Sequence, residues 1–193
     1  MNLLLLGPQG SGKGTQASLV TAEYEIPHVG TGDMLRDAIA RGDNLGRRVQ
    51  PLVESGLLVP DELMIELIRE RLGRPDARDG FVLDGFPRTM PQAEALDAAL
   101  RELGRELDVV LELQVPEAVL LERLLNRARL EGRADDAPEA IRTRLELYRR
   151  NTEPLVEYYR ARGLVVGIHG DRPVPEVFAE VQQALERVEA RTP

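Results

Sequence analysis

Short uninterrupted apolar runs alternate along the chain with longer stretches whose apolar residues recur every three or four positions. The runs are Leu3–Leu6, ending at Gly7; Phe81-Val82-Leu83, ending at Asp84; Leu107–Val115, with Val109, Val110, Leu111 and Leu113; and Leu164–Ile168, closing at His169-Gly170. Each is too short for a helix, and continuous apolarity suits strands covered on both faces, as in a parallel sheet. Ile26–Val29 is weaker, because Pro27 cannot donate to a sheet ladder, and it reads as a marginal strand.

The stretches between the runs have helical ends and faces. Glu117–Leu130 follows Pro116 and places Leu120, Leu121, Leu124 and Leu125 on one face, with Arg123 and Arg127 four apart on the other. Pro138 opens a second helix with Ile141, Leu145 and Tyr148 as its stripe, and Pro175 opens the last, with Val177, Val181, Leu185 and Val188. Strands alternating with helices predict an α/β fold with right-handed crossovers. No repeat, low-complexity stretch or linker divides the 193 residues, a length suited to one domain.

Composition narrows the chemistry. The absence of cysteine excludes a disulfide framework and a thiolate zinc site. A net charge of −8 argues against coating nucleic acid or an anionic membrane, while leaving room for a local basic site. The longest apolar run, Leu3–Leu6, can neither span a bilayer nor serve as a signal peptide, so cytoplasmic residence is expected. Of the 25 basic residues, 24 are arginine; the single lysine is Lys13.

That lysine lies in Gly7-Pro8-Gln9-Gly10-Ser11-Gly12-Lys13-Gly14-Thr15, which follows the first strand and opens a helix. Gly7, Gly12 and Lys13 match the G-x4-G-K core of a phosphate loop. There, backbone N–H groups and the helix N-terminus face a polyphosphate, and a mobile ammonium follows its β and γ phosphates. Gly14 departs from the general motif, which carries there the hydroxyl that ligates Mg²⁺; Thr15 comes one position later.

At this point the chain resembles the adenylate kinase family, and the likeness runs in order from residue 1 to about Arg172. Gly12–Gln16 is similar to that family's phosphate loop, Thr31–Arg36 to its monophosphate-binding segment, and Val59-Pro60-Asp61 to the end of that segment. Asp84–Thr89 with Gln92 resembles the family signature, and Gly132–Asp136 with Arg142–Leu145 resembles its lid and the helix after it. The resemblance implies a P-loop three-layer α/β/α fold with a five-stranded parallel sheet. It divides one kinase domain, 1–193, into a core (1–29, 60–126 and 138–193), a monophosphate-binding segment (30–59) and a short lid (127–137).

The implied reaction is reversible, Mg²⁺-dependent transfer of the γ-phosphoryl group of ATP to AMP, giving two ADP. By resemblance, Gly10, Ser11, Gly12, Lys13, Gly14, Thr15, Arg123, Arg127 and Arg172 bind ATP. Thr31, Arg36, Leu57, Leu58, Val59, Gly85, Phe86, Pro87, Arg88, Gln92, Arg133 and Arg144 bind AMP. Lys13, Arg88, Arg127, Arg133 and Arg144 form the catalytic set, and arginine suits it because a planar fork grips two phosphate oxygens and stays charged. Asp84, at a strand end where α/β sheets bind ligands, would hold Mg²⁺ through water, or else cap the following turn.

Close relatives set the alternatives. Kinases of UMP and CMP tend to carry Asn in the positions of Thr89 and Gln92 and Ala in that of Thr31, so this trio points to adenine. Gly30 stands where the family commonly has Ser. A GTP-binding switch would need Asn-Lys-x-Asp, and no lysine follows Lys13; a non-catalytic nucleotide-binding module would not retain the transfer residues. The lid has room for about nine residues and no thiols, so it is the short form without structural zinc. His28 and His169 read as ordinary packing or surface residues, since the attacking phosphate oxygen is already ionised. A monomer whose partners are ATP, AMP and ADP, with neither nucleic acid nor membrane, completes the expectation.

Overall fold

The apolar runs become β1 (Asn2–Leu6), β2 (His28–Gly30), β3 (Phe81–Asp84), β4 (Val109–Gln114) and β5 (Val165–His169) in the computed structural model, which describes residues 1–131 and 137–190. All pair in parallel, in the order β2-β3-β1-β4-β5. The weak run thus forms a strand. Pro27 lies just outside it, at the sheet edge, and contributes the acceptor it does have: its carbonyl takes the Val82 N–H at 2.9 Å.

Alternation along the central strand builds two cores. Leu4 and Leu6 face one way, into a cluster with Leu83, Ile68, Leu96, Leu155 and Tyr159. That side is covered by α4 (Asp61–Leu72), α5 (Met90–Glu102) and α8 (Pro154–Arg160). Leu3 and Leu5 face the other way, against Ala17 and Val20 of α1 (Lys13–Tyr24) and Val177, Val181 and Leu185 of α9 (Val174–Glu189). The result is the three-layer α/β/α arrangement expected. Each buried leucine contributes about 2 kcal/mol of transfer free energy.

Two helical pairs project from this core. The first is α2 (Thr31–Arg41) with α3 (Asn44–Glu54), joined by Gly42 and by Asp43, whose carboxylate caps α3 by accepting the Gly46 N–H at 2.8 Å. The second is α6 (Glu117–Glu131) with α7 (Pro138–Leu147), meeting through Leu120, Leu124, Ile141 and Leu145. The expected four-leucine face of α6 is narrower than the pattern suggests. Leu121 and Leu125 are 37% and 43% exposed, because α6 packs along a single i, i+4 row. Tyr148 likewise leaves the stripe of α7 and starts a π-helical turn, Tyr148–Thr152. Among the described residues, no helix is long and apolar enough to cross a membrane.

Candidate active site

Parallel strands place all their C-terminal ends at one edge of the sheet, and the loops leaving these ends meet there. Gly7–Gly12 follows β1, Thr31 follows β2, Gly85–Arg88 follows β3 and Gly170–Arg172 follows β5. Gly7, Gly10 and Gly12 adopt φ values of 147°, 79° and 97°, in the region that side chains disfavour, so the loop's shape depends on them. It backs onto α6, where a Cβ on Gly10 would stand 3.1 Å from Leu124 Cγ. Among the described residues no side chain caps α1, which leaves its first N–H groups available to an anion.

Lys13 Nζ donates to the carbonyls of Gly7 and Pro8, at 2.7 and 2.8 Å. Burial lowers its pKa to about 8; Asp84 opposes the shift, and Arg88, Arg144 and Arg127 add to it. The ammonium is therefore held by carbonyls of its own loop in a buried site that three arginines share.

A cleft of about 630 Å³ opens over the loop, lined by Gly10, Ser11, Gly12, Lys13, Gly14 and Thr15 and by Arg36, Asp84, Arg88, Arg123, Arg127, Arg144 and Arg172. A narrower cavity adjoins it, between Thr31, Arg36, Leu57, Leu58, Val59 and Gln92. A third, lined by Pro87, Tyr148 and Thr152, lies behind. Gly85, Arg88 and Arg144 line all three, so two guanidinium-bearing residues stand where the cavities join.

Arg88 is fixed at several points. Its N–H donates to Gln92 Oε1 at 2.8 Å, its carbonyl accepts from Thr152 Oγ1 at 2.9 Å, and its Nε donates to the Gly85 carbonyl at 2.8 Å. Gly85 has φ 83°, and a Cβ there would approach Thr31 Oγ1 to 2.5 Å, so only glycine allows β3 to turn this close to Thr31. Arg36 pairs with Asp33 at 2.6 Å. Arg123 donates to the Gly10 carbonyl at 3.4 Å, holding α6 to the loop. The Arg172 side chain is tied to Glu180, which also receives the His169 N–H at 3.1 Å.

Asp84 lies at the base of the cleft, with a carboxylate oxygen 3.9 Å from where a Cβ of Gly14 would be. Burial works to raise its pKa, but His28, Lys13 and Arg88 outweigh it and hold the carboxyl below the usual range. Among the described residues, no group of three or more His, Asp or Glu side chains is arranged to hold a metal ion. The Asp84 carboxylate is the kind of oxygen donor that can hold a hydrated divalent cation.

Most residues singled out from the sequence come together here, with two exceptions. Phe86 is 1% exposed, belongs to the core and lines none of these three cavities. Arg133, with the rest of 132–136 of the expected lid, lies outside the described residues. Four further residues, none of them singled out as a site residue from the sequence, contribute. His28 lines the cleft with Nε2 3.7 Å from Asp84. Asp61 bonds Gln92, Thr152 bonds Arg88, and Glu180 bonds Arg172.

A family model described as adenylate kinase matches residues 5–164. The chain is 51% identical to an adenylate kinase of Thermus thermophilus over 183 residues, covering 95% of this chain and 96% of the relative. It is 44% identical to one of Stenotrophomonas maltophilia over 185 residues (96% and 99%). Against one of Archaeoglobus fulgidus it is 40% identical over 217 aligned positions (98% and 100%), more than the 193 residues of this chain, so that relative carries residues absent here.

Proposed function

The chain belongs to the adenylate kinase family, and on that footing we propose that it catalyses reversible transfer of the γ-phosphoryl group of ATP to AMP, giving two ADP. The observation that carries this reading is the shared wall: Arg88 and Arg144 line both the cleft over the phosphate loop and the narrower cavity beside it. Two nucleotides bound in these spaces would meet phosphate to phosphate at that wall.

In this reading the triphosphate lies along Gly10–Thr15, with Lys13 leaving the Gly7 and Pro8 carbonyls to follow the phosphate oxygens. Arg123, Arg127 and the Gly170–Arg172 backbone bound the rest of ATP. AMP enters the cavity of Thr31, Leu57, Leu58, Val59 and Gln92, with Arg36 and Arg88 on its phosphate and the Gly85–Pro87 backbone beneath. An ionised oxygen of that phosphate attacks the γ-phosphorus in line as the bond to the β-phosphate oxygen breaks, so no general base is needed. Arg88, Arg127, Arg133 and Arg144 offset the charge on the group in transit, and alignment with electrostatic stabilisation supplies the catalysis.

Asp84 would hold Mg²⁺ through water, in keeping with Gly14 standing in place of a ligating hydroxyl. When bound, the ion would supply positive charge to the polyphosphate. The segments 30–59 and 127–137 close over both nucleotides to exclude water, which would otherwise accept the phosphoryl group. A cytoplasmic monomer whose partners are ATP, AMP and ADP completes the reading.

A coupled assay of ADP formation tests it, with an acceptor panel of AMP, CMP, UMP and GMP. AMP should be strongly preferred, and Lys13→Met should remove activity. Preference for a pyrimidine monophosphate, or ATP binding without transfer, would overturn the reading.

A further inference from the structure

The cavity containing Gln92 holds a polar relay that runs from Arg88 through Gln92 to Thr89 and Asp61. Gln92 is 2% exposed, and both ends of its amide are engaged. Oε1 accepts the Arg88 N–H at 2.8 Å, and Nε2 donates to Asp61 Oδ1 at 2.7 Å. Thr89 Oγ1 donates to the same Asp61 oxygen at 3.0 Å and accepts the Gln92 N–H, capping α5. Asp61 is the first residue of α4, where the helix dipole favours a carboxylate.

An isolated glutamine amide can be turned end for end at little cost, since its oxygen and nitrogen are nearly the same size. These two partners forbid the turn, because a backbone N–H can only donate and a carboxylate can only accept. The amide oxygen must face Arg88 and the nitrogen must face Asp61. Each end keeps one unused capacity, a lone pair on Oε1 and one N–H on Nε2. Both belong to a side chain that lines the narrower cavity.

An acceptor beside a donor, in that fixed order, matches the edge of a 6-aminopurine, whose exocyclic amine donates and whose N1 accepts. A 6-oxopurine presents the reverse, an accepting oxygen beside an N1–H donor. We propose that Asp61 is a specificity-determining positioning residue: by locking the Gln92 amide, it makes the acceptor site read 6-aminopurine and reject 6-oxopurine nucleotides. This rests on the reading that Gln92 faces the acceptor base. A site built around hydrogen-bonding groups discriminates strongly, because the wrong partner leaves buried polar atoms unpaired.

The test measures kcat/KM for AMP and for IMP, and KM for ATP, in the wild type, Asp61→Ala, Asp61→Asn and Gln92→Leu. Asp61→Ala should lower the AMP-to-IMP ratio by roughly tenfold or more with the KM for ATP unchanged. Asp61→Asn retains an oxygen able to accept from both Thr89 and Gln92, so its ratio should stay within about twofold of wild type. Should Asp61→Ala not fold, Asp61→Ser, a good helix-start residue too short to reach the amide, replaces it. A ratio lost in Gln92→Leu but intact in Asp61→Ala or Asp61→Ser overturns the role of Asp61 alone. A ratio intact in Gln92→Leu overturns the underlying reading of the pocket.

Discussion

The hydroxyl of Thr152, in the π-helical turn after α7, donates to the carbonyl of Arg88 at 2.9 Å, joining residues 64 positions apart. Arg144, near the end of α7, lines the same three cavities as Arg88. The turn therefore ties the helix carrying one arginine to the backbone of the other. Thr152 is 7% exposed, so losing its hydroxyl leaves a shielded carbonyl without this donor. Thr152→Val should cost about 1–3 kcal/mol of stability. It should also lower kcat severalfold as Arg88 loosens, and Thr152→Ser should restore both. Chemical denaturation and steady-state kinetics on the pair check this; unchanged kcat in the valine variant would remove the link.

Lys13 predicts a pH signature. Its pKa of about 8 lies below the ordinary lysine value of 10.5, so the fold disfavours its charged form. Its adverse contribution to stability is fully present below pH 8 and is relieved as pH rises towards 10.5. A bound polyphosphate acts in the opposite direction, favouring the ammonium. ATP binding between those limits should therefore take up a proton, and affinity should fall as pH rises. Calorimetry at pH 9 in buffers of different ionisation enthalpy should show uptake approaching one proton, absent at pH 7. Equal uptake in Lys13→Met would assign the effect elsewhere.

Gly46 governs how α2 and α3 pack. A Cβ on it would lie 2.1 Å from the Ala38 carbonyl oxygen, a distance that neither rigid helix backbone can absorb without shifting. Gly46→Ala should destabilise the protein by about 1–3 kcal/mol, despite alanine's better helix propensity. The KM for AMP should rise more than that for ATP, because this helical pair carries Thr31 and Arg36 into the narrower cavity. A thermal midpoint equal to that of wild type would contradict the close contact.

Glu180 of α9 should act on the other nucleotide. Burial works to raise its pKa, but hydrogen bonds from His169 and the charge of Arg172 outweigh it and leave the carboxyl lowered. Its stabilising effect is present above the ordinary glutamate range and is lost as pH falls through the lowered value. Glu180→Ala should raise the KM for ATP severalfold by releasing the turn around Gly170, with the KM for AMP unchanged. Equal changes in both constants would point to general loosening instead.

Some of this was legible because its physics is local. The phosphate loop needs glycines at fixed offsets between a strand and a helix, and that constraint is written in consecutive residues, Gly7–Lys13. The strands were legible from continuous apolar runs, since a sheet covered on both sides leaves no polar face to alternate. Even Pro27 misleads only when judged alone; at an edge, its missing N–H is not needed.

What required the tertiary structure was every relation whose partners are far apart in sequence. No local pattern says that Asp61 meets Gln92, that Thr152 reaches Arg88, or that His28 comes to 3.7 Å from Asp84. Nor does periodicity show that α6 buries only one row of its leucines, which depends on how much of the helix α7 covers. The sequence by itself determined the α/β class, the phosphate loop, the arginine-rich motifs and the family they resemble, because short-range stereochemistry and motif order suffice for these. Only the tertiary structure decided which side chains hold those motif residues in place, because hydrogen-bond partners are chosen by distance in space, and the packing of two cores around one sheet sets that distance.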